Sequence, residues 1–71
     1  MTFPLHNRLR TLREERGWTQ AELARRVSVS RKTINTVENR IFIPSTVLAL
    51  KLAQAFEAQV EALFWLEGDG A

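Results

Sequence analysis

RRVSVSRK, residues 25–32, alternates apolar and polar side chains through Val27, Ser28, Val29 and Ser30, in the manner of a short β-strand. Both of its flanks read as helix. Upstream, Thr19 and Glu22 have the spacing of a capping box, in which each side chain satisfies a free backbone N–H of the other's turn. The helix opened there runs to about Val27, with Leu23, Ala24 and Val27 on one face. Downstream, Ser30 is a good N-cap for a helix from Arg31 to about Asn39, which turns Ile34 and Val37 inward. The four alternating residues have no second strand nearby, and an isolated strand leaves its backbone unpaired. The stretch is therefore read as the corner of a helix–turn–helix, three to four residues long.

Working outward, Leu9 and Leu12, with Leu5 a turn earlier, give an amphipathic helix over Asn7–Arg16, and Gly17 supplies its left-handed C-terminal cap. Pro44 breaks the chain after the third helix, and Ser45 caps a fourth over Thr46–Phe56. That helix is apolar nearly all round, at Val47, Leu48, Ala49, Leu50, Leu52, Ala53, Ala55 and Phe56, so it must be covered on nearly all sides. A short helix around Val60–Phe64 leads into Phe64-Trp65-Leu66 and a Gly/Asp tail. The expected fold is all-α, a compact bundle of five short helices in a single domain over residues 1–71. The helix–turn–helix occupies about 19–39, and 57–71 is a candidate dimerisation segment.

With 71 residues there is no room for a second core, and burial against another copy would help a chain this short. Apolar residues make up 45% and charged residues 25%, which argues against wholesale disorder. There are no cysteines, hence no disulfides and no thiolate metal site. No apolar run approaches a membrane span and no signal peptide is evident, so the expected location is cytoplasmic. The net charge of +2 hides an asymmetry. Residues 1–40 carry nine Lys or Arg against four Glu, while residues 41–71 carry Lys51 against four acidic groups. A basic half of this kind suits a polyanion.

Counting Gln20 as the first position of the motif, small Ala24 falls fifth, Ser28 ninth, and apolar Ile34 and Val37 fifteenth and eighteenth. With these residues, TQAELARRVSVSRKTINTVEN resembles the Cro/repressor-type (XRE) family of helix–turn–helix transcriptional regulators, which have the λ-repressor-like fold. The resemblance extends to NRLRTLREERGW before it and to PSTVLALKLAQAF and LFWLE after it, over roughly residues 7–66. It departs from the family in one consistent respect. Positions that are usually glycine hold Ser28, Arg40 and Glu57, and only Gly17 is kept. Each costs on the order of 1 kcal/mol if the backbone there is left-handed.

The resemblance implies operator binding, usually by a symmetric dimer, with the helix over residues 31–39 in the major groove. Arg31, Lys32, Thr33, Asn35 and Thr36 are then the base readers, and their chemistry suits the role. Arg and Lys donate to guanine, Asn pairs both ways with adenine, and the Thr methyl touches thymine. Two cations at a helix N-terminus also oppose the macrodipole, which leaves helix stability a poor reason for them. Gln20, Asn39 and Arg40 match backbone-contacting positions. Arg13 and Glu38 match a structural brace between the first and third helices. Arg8, Arg10 and Arg16 are read as solvated, adding only long-range attraction. Surplus apolar surface at Val47, Leu48, Leu50, Phe64, Trp65 and Leu66 suggests the dimer interface, across which LFWLE could pair as a strand. The bland reading of the same tail has Leu63 and Phe64 filling the core under Trp65.

An enzyme is not expected. The chain has a single histidine, His6, no Cys or Tyr, and no nucleophile–base pair. Adjacent Glu14 and Glu15 point about 100° apart on a helix and cannot share one substrate bond. No cofactor, metal or small-molecule ligand is implied. The rival reading is a protein-binding module of the same fold, an antitoxin or coactivator-like adaptor. Antitoxins of this kind normally add a toxin-wrapping segment, which is not expected here, and the basic recognition helix favours DNA.

Overall fold

The computed structural model describes residues 5–68. The chain runs β1 (Leu5–Asn7), α1 (Leu9–Glu15), α2 (Gln20–Arg26), α3 (Arg31–Glu38), α4 (Thr46–Phe56), α5 (Val60–Leu63) and β2 (Phe64–Leu66). The five-helix bundle is thus present, and residues 27–30 form the corner between α2 and α3 rather than a strand. Two details differ from the sequence expectation. The first helix begins at Leu9, with Leu5 in a strand. Phe64-Trp65-Leu66 does pair as a strand, but with residues 5–7 of its own chain, antiparallel, with Leu5 opposite Leu66 and His6 opposite Trp65. The ribbon brings both ends of the described chain together, and Trp65 is stacked on His6 with ring centroids 5.9 Å apart.

The core collects one apolar stripe from each helix. Leu9 of α1, Leu23 and Ala24 of α2, Ile34 and Val37 of α3, Leu48, Leu52, Ala53 and Phe56 of α4, and Leu63 of α5 are buried, together with Val27 of the corner and Phe64 of β2. Val29 packs against this cluster while Ser28 stays exposed, so the alternation in VSVS reflects a turn whose valines seal the α2–α3 junction. Leu48 and Phe64 are core residues and leave the surplus apolar surface predicted from the sequence. Val47, Leu50 and Leu66 remain exposed, at 62%, 51% and 53%.

Helix starts follow the sequence closely. The side-chain oxygens of Thr19, Ser30 and Ser45 accept from the backbone N–H groups of Glu22, Thr33 and Leu48 at 3.0–3.1 Å. The capping box at α2 is one-sided, however. The Glu22 carboxylate turns to Arg25 (2.6 Å) and Arg26 (2.8 Å), because charge-assisted bonds outcompete a neutral backbone donor. Arg25, whose hydrogen bond is the largest influence, holds this carboxyl below the usual glutamate range. The pair therefore contributes stability above that range, and the contribution is lost as pH falls through it.

Helix ends share one geometry. After α1, Trp18 N–H donates to the Arg13 carbonyl and Gly17 N–H to that of Glu14. The same two bonds recur as Val29 to Ala24 with Ser28 to Arg25, as Ile41 to Thr36 with Arg40 to Val37, and as Ala58 to Ala53 with Glu57 to Gln54. This Schellman arrangement needs a left-handed residue just past the helix. Gly17 (φ 71°) supplies it once; Ser28 (φ 60°), Arg40 (φ 63°) and Glu57 (φ 53°) supply it against their own preference. The left-handed alternative at Ser28 is the one adopted. Ser28→Gly should therefore raise the stability of the domain by about 1 kcal/mol, as read by urea unfolding; Glu57→Gly should act in the same direction.

Candidate nucleic-acid interface

The four-residue corner sets α3 across α2 with Ile34 and Val37 locked into the core, so the opposite side of α3 faces out. Arg31, Lys32 and Asn35 are exposed there, and Arg31 and Asn35, one turn apart, are neighbours on one face. Thr33 and Thr36 are half-buried and their hydroxyls are engaged. Thr33 Oγ1 lies 2.9 Å from Ser30 Oγ, and Thr36 Oγ1 donates to the Thr33 carbonyl at 2.9 Å.

Beneath this face lies a polar network built on the Arg13–Glu38 pair. Arg13 Nε donates to Glu38 Oε2 at 2.7 Å, Arg13 Nη2 to Oε1 at 3.2 Å, and Arg13 Nη1 to the Trp18 carbonyl at 2.9 Å. The Glu38 side chain is only 3% exposed. Its hydrogen bond, more than any other influence, raises the Arg13 guanidinium pKa above the ordinary value. The brace inferred from the sequence is thus a bidentate ion pair joining α1, the turn after it, and α3.

Gln20, the first residue of α2, extends the network to the surface. Its Nε2 donates to Glu38 Oε1 at 3.0 Å and to Asn35 Oδ1 at 3.2 Å, and its Oε1 accepts from Arg31 Nη1 at 3.1 Å. Asn39 folds back on α3, with Nδ2 donating to the Asn35 carbonyl (2.8 Å) and Oδ1 (3.1 Å). Arg40 stands exposed after α3 and donates from Nε to the Leu5 carbonyl at 3.2 Å. The five residues Gln20, Arg31, Lys32, Asn35 and Asn39 therefore share one polar surface, with Arg40 at its edge against β1.

Several basic residues have structural duties that the sequence reading missed. Arg16, though exposed, donates from Nη2 to the Phe56 carbonyl at 2.7 Å and lies over the Trp18 and Phe56 rings, a structural role beyond that of a solvated cation. Arg26 sits 4.1 Å from the Trp18 centroid, and Arg8 lies 4.8 Å from that of Trp65. Arg8, Arg10 and Arg16 all stay exposed as the sequence suggested, and Arg10 pairs with Glu14 on its helix face. The missed signal was Trp18 just after Gly17, an aromatic at a helix exit that attracts cations from both flanking helices.

An exposed polar helix, braced at its base by a buried ion pair and entered through a tight corner, defines a helix–turn–helix regulator domain. A Helix-turn-helix family model matches residues 9–63, and the chain belongs to that family, as a transcriptional regulator of the XRE type. It is 38% identical over 63 residues to the uncharacterized HTH-type transcriptional regulator YgzD of Bacillus subtilis (strain 168), spanning 89% of this chain and 96% of that one. Antitoxin HipB of Escherichia coli (strain K12) is 32% identical over 53 residues, covering 75% of this chain and 60% of the antitoxin. Among solved structures, the restriction-modification controller protein C.AhdI from Aeromonas hydrophila superposes with a TM-score of 0.72 at 33% identity, covering 76% of this chain and 82% of that one.

Removing one partner of a buried ion pair leaves the other uncompensated, at a cost of about 3–5 kcal/mol. Arg13→Ala should therefore lower the urea midpoint steeply, by most of the stability expected of a domain this small. Arg10→Ala, on an exposed pair, should barely move it.

Proposed function

We propose that this chain is a sequence-specific operator-binding repressor that acts in the cytoplasm as a two-fold dimer, each copy laying α3 in the major groove of one half-site. The observation that carries this reading is the outward face of α3, where Arg31, Lys32 and Asn35 stand exposed while the opposite side is held by the core. Eight residues of helix span about 12 Å, the width of the major groove. Arg31 and Lys32 then donate to base edges, with Thr33 and Thr36 contributing methyl contacts since their hydroxyls are engaged. Arg40 flanks that face where the phosphate backbone passes, while Gln20 and Asn39, matched to backbone-contacting positions in sequence, use their side-chain N–H groups to brace Glu38 and Asn35.

The dimer reading draws on Val47, Leu50 and Leu66, exposed after all other apolar groups of α4 and β2 have been packed or half-covered. Leu50 borders a groove of about 280 Å³ with Pro44, Ala49 and Val60 on its walls. Two copies joined through this face would set their recognition helices about 34 Å apart and read an inverted repeat. Residues 69–71 of the segment first assigned to dimerisation lie outside the described residues. Similarity to HipB supports a second reading as a protein-binding member of the fold, in which the α3 cations are dispensable.

Selection of bound sites from random duplex DNA should yield an inverted repeat, and Arg31→Ala should weaken the selected site by about 1–3 kcal/mol at fixed salt, relaxing one position per half-site. Unchanged binding by this variant would rule out Arg31 as a reader. In sedimentation, the protein should run as a dimer at micromolar concentration and Leu50→Glu as a folded monomer. A wild-type monomer at high micromolar concentration would exclude the dimer.

A further inference from the structure

We infer that the buried Glu38 carboxylate sets the hydrogen-bond polarity of the recognition face, so that Asn35 offers only donors and reads guanine in preference to adenine. This rests on the proposed placement of α3 in the major groove and gives that placement a base preference. A carboxylate only accepts, so the Gln20 amide must turn its NH₂ toward Glu38 and its oxygen toward Arg31, which only donates. Both Gln20 N–H groups are then committed, one to Glu38 Oε1 and the other to Asn35 Oδ1. The orientation of Asn35 follows, because its oxygen is the only group of that amide able to receive the bond.

A second anchor acts independently. The Asn35 backbone carbonyl also only accepts, so it draws in the NH₂ of Asn39, and that group donates to Asn35 Oδ1 as well. Asn35 Oδ1 thus takes two donors, one from Gln20 and one from Asn39, and both lone pairs are occupied. A flipped Asn35 would set its NH₂ against two other NH₂ groups and lose both bonds. What remains free is its own Nδ2, on the exposed face of α3 that also carries Arg31 and Lys32. Bidentate pairing with adenine needs Asn Oδ1 to accept from N6, and here that oxygen is not available. Guanine shows two acceptors, O6 and N7, and matches a donor-only face. The expectation that Asn35 pairs both ways with adenine is replaced by this one.

The test selects binding sites from random duplex DNA at one salt concentration for the wild type, Asn35→Ala and the double variant Gln20→Met/Asn39→Ala. Asn35→Ala identifies the position Asn35 reads. There the wild type should select guanine, and the double variant, which keeps the Arg13–Glu38 pair but releases the Asn35 amide, should shift the adenine-to-guanine ratio toward adenine on the order of tenfold. Adenine selected by the wild type, a ratio unmoved in the double variant, or no position lost in Asn35→Ala would each overturn the inference. Failure to select any sequence would instead remove the operator-binding reading itself. A measurement without DNA covers the case in which the double variant does not fold. By NMR of the free wild type, the Gln20 side-chain amide protons should exchange slowly with water and those of Asn35 rapidly, and the reverse order would overturn the inference.

Discussion

The ion pair between Arg13 and Glu38 joins two helices that the chain separates by a full helix and two turns, and most of the domain's polar geometry depends on it. Placing a carboxylate at 3% exposure is unfavourable unless it is paired and well hydrogen-bonded. Here the fork of Arg13 takes two positions, and the amide of Gln20 takes a third. Arg13 spends its remaining reach on the Trp18 carbonyl, which pins the turn out of α1. One pair therefore locates the end of α1, the start of α2 and the C-terminal turn of α3 relative to each other. The apolar contacts of Ile34 and Val37 hold α3 down, but burial is non-directional and does not by itself fix its rotation about its axis. The directional bonds at Glu38 supply that orientation.

Backbone strain is distributed in the same spirit. Four helices end on a left-handed residue and only one of those residues is glycine. The bonds to the last carbonyls, and the burial of Val27 and packing of Val29 beside Ser28, hold the other three in place. At the corner this matters most, because the left-handed turn at Ser28 sets the angle at which α3 leaves α2. Arg40 shows a further adaptation, its side chain reaching back to the Leu5 carbonyl and tying the exit of α3 to the β-ribbon.

Charge is also partitioned more finely than composition suggests. The basic half of the chain places Arg13, Arg16, Arg25 and Arg26 in ion pairs, carbonyl contacts and aromatic stacking. Arg31 and Lys32 are the cations left at the outer face of α3. Among the described residues the exposed Arg8 and Arg40 likewise have no acidic partner, so the unpaired positive charge includes α3 and its exit but is not confined to them.

The helix–turn–helix was legible from local sequence because its determinants are local. Thr19, Ser30 and Ser45 cap the helices that follow them through bonds spanning three residues, and Ile34 and Val37 fall on one side of α3 by periodicity alone. The Arg13–Glu38 brace was legible only through resemblance, since nothing in the spacing of residues 25 apart says that they meet. The β-ribbon was not foreseen as an intramolecular pair because it joins residues about 60 apart, and three-residue strands carry almost no pattern. Phe64 looked like spare surface for the same reason, until the ribbon folded it into the core. Arg16 looked merely solvated because one of its partners, the Phe56 carbonyl, lies 40 residues away at the end of α4. In sequence, Asn35 was an amide with two faces. Only the tertiary structure, by turning an acceptor-only carboxylate toward Gln20, decided which face it shows.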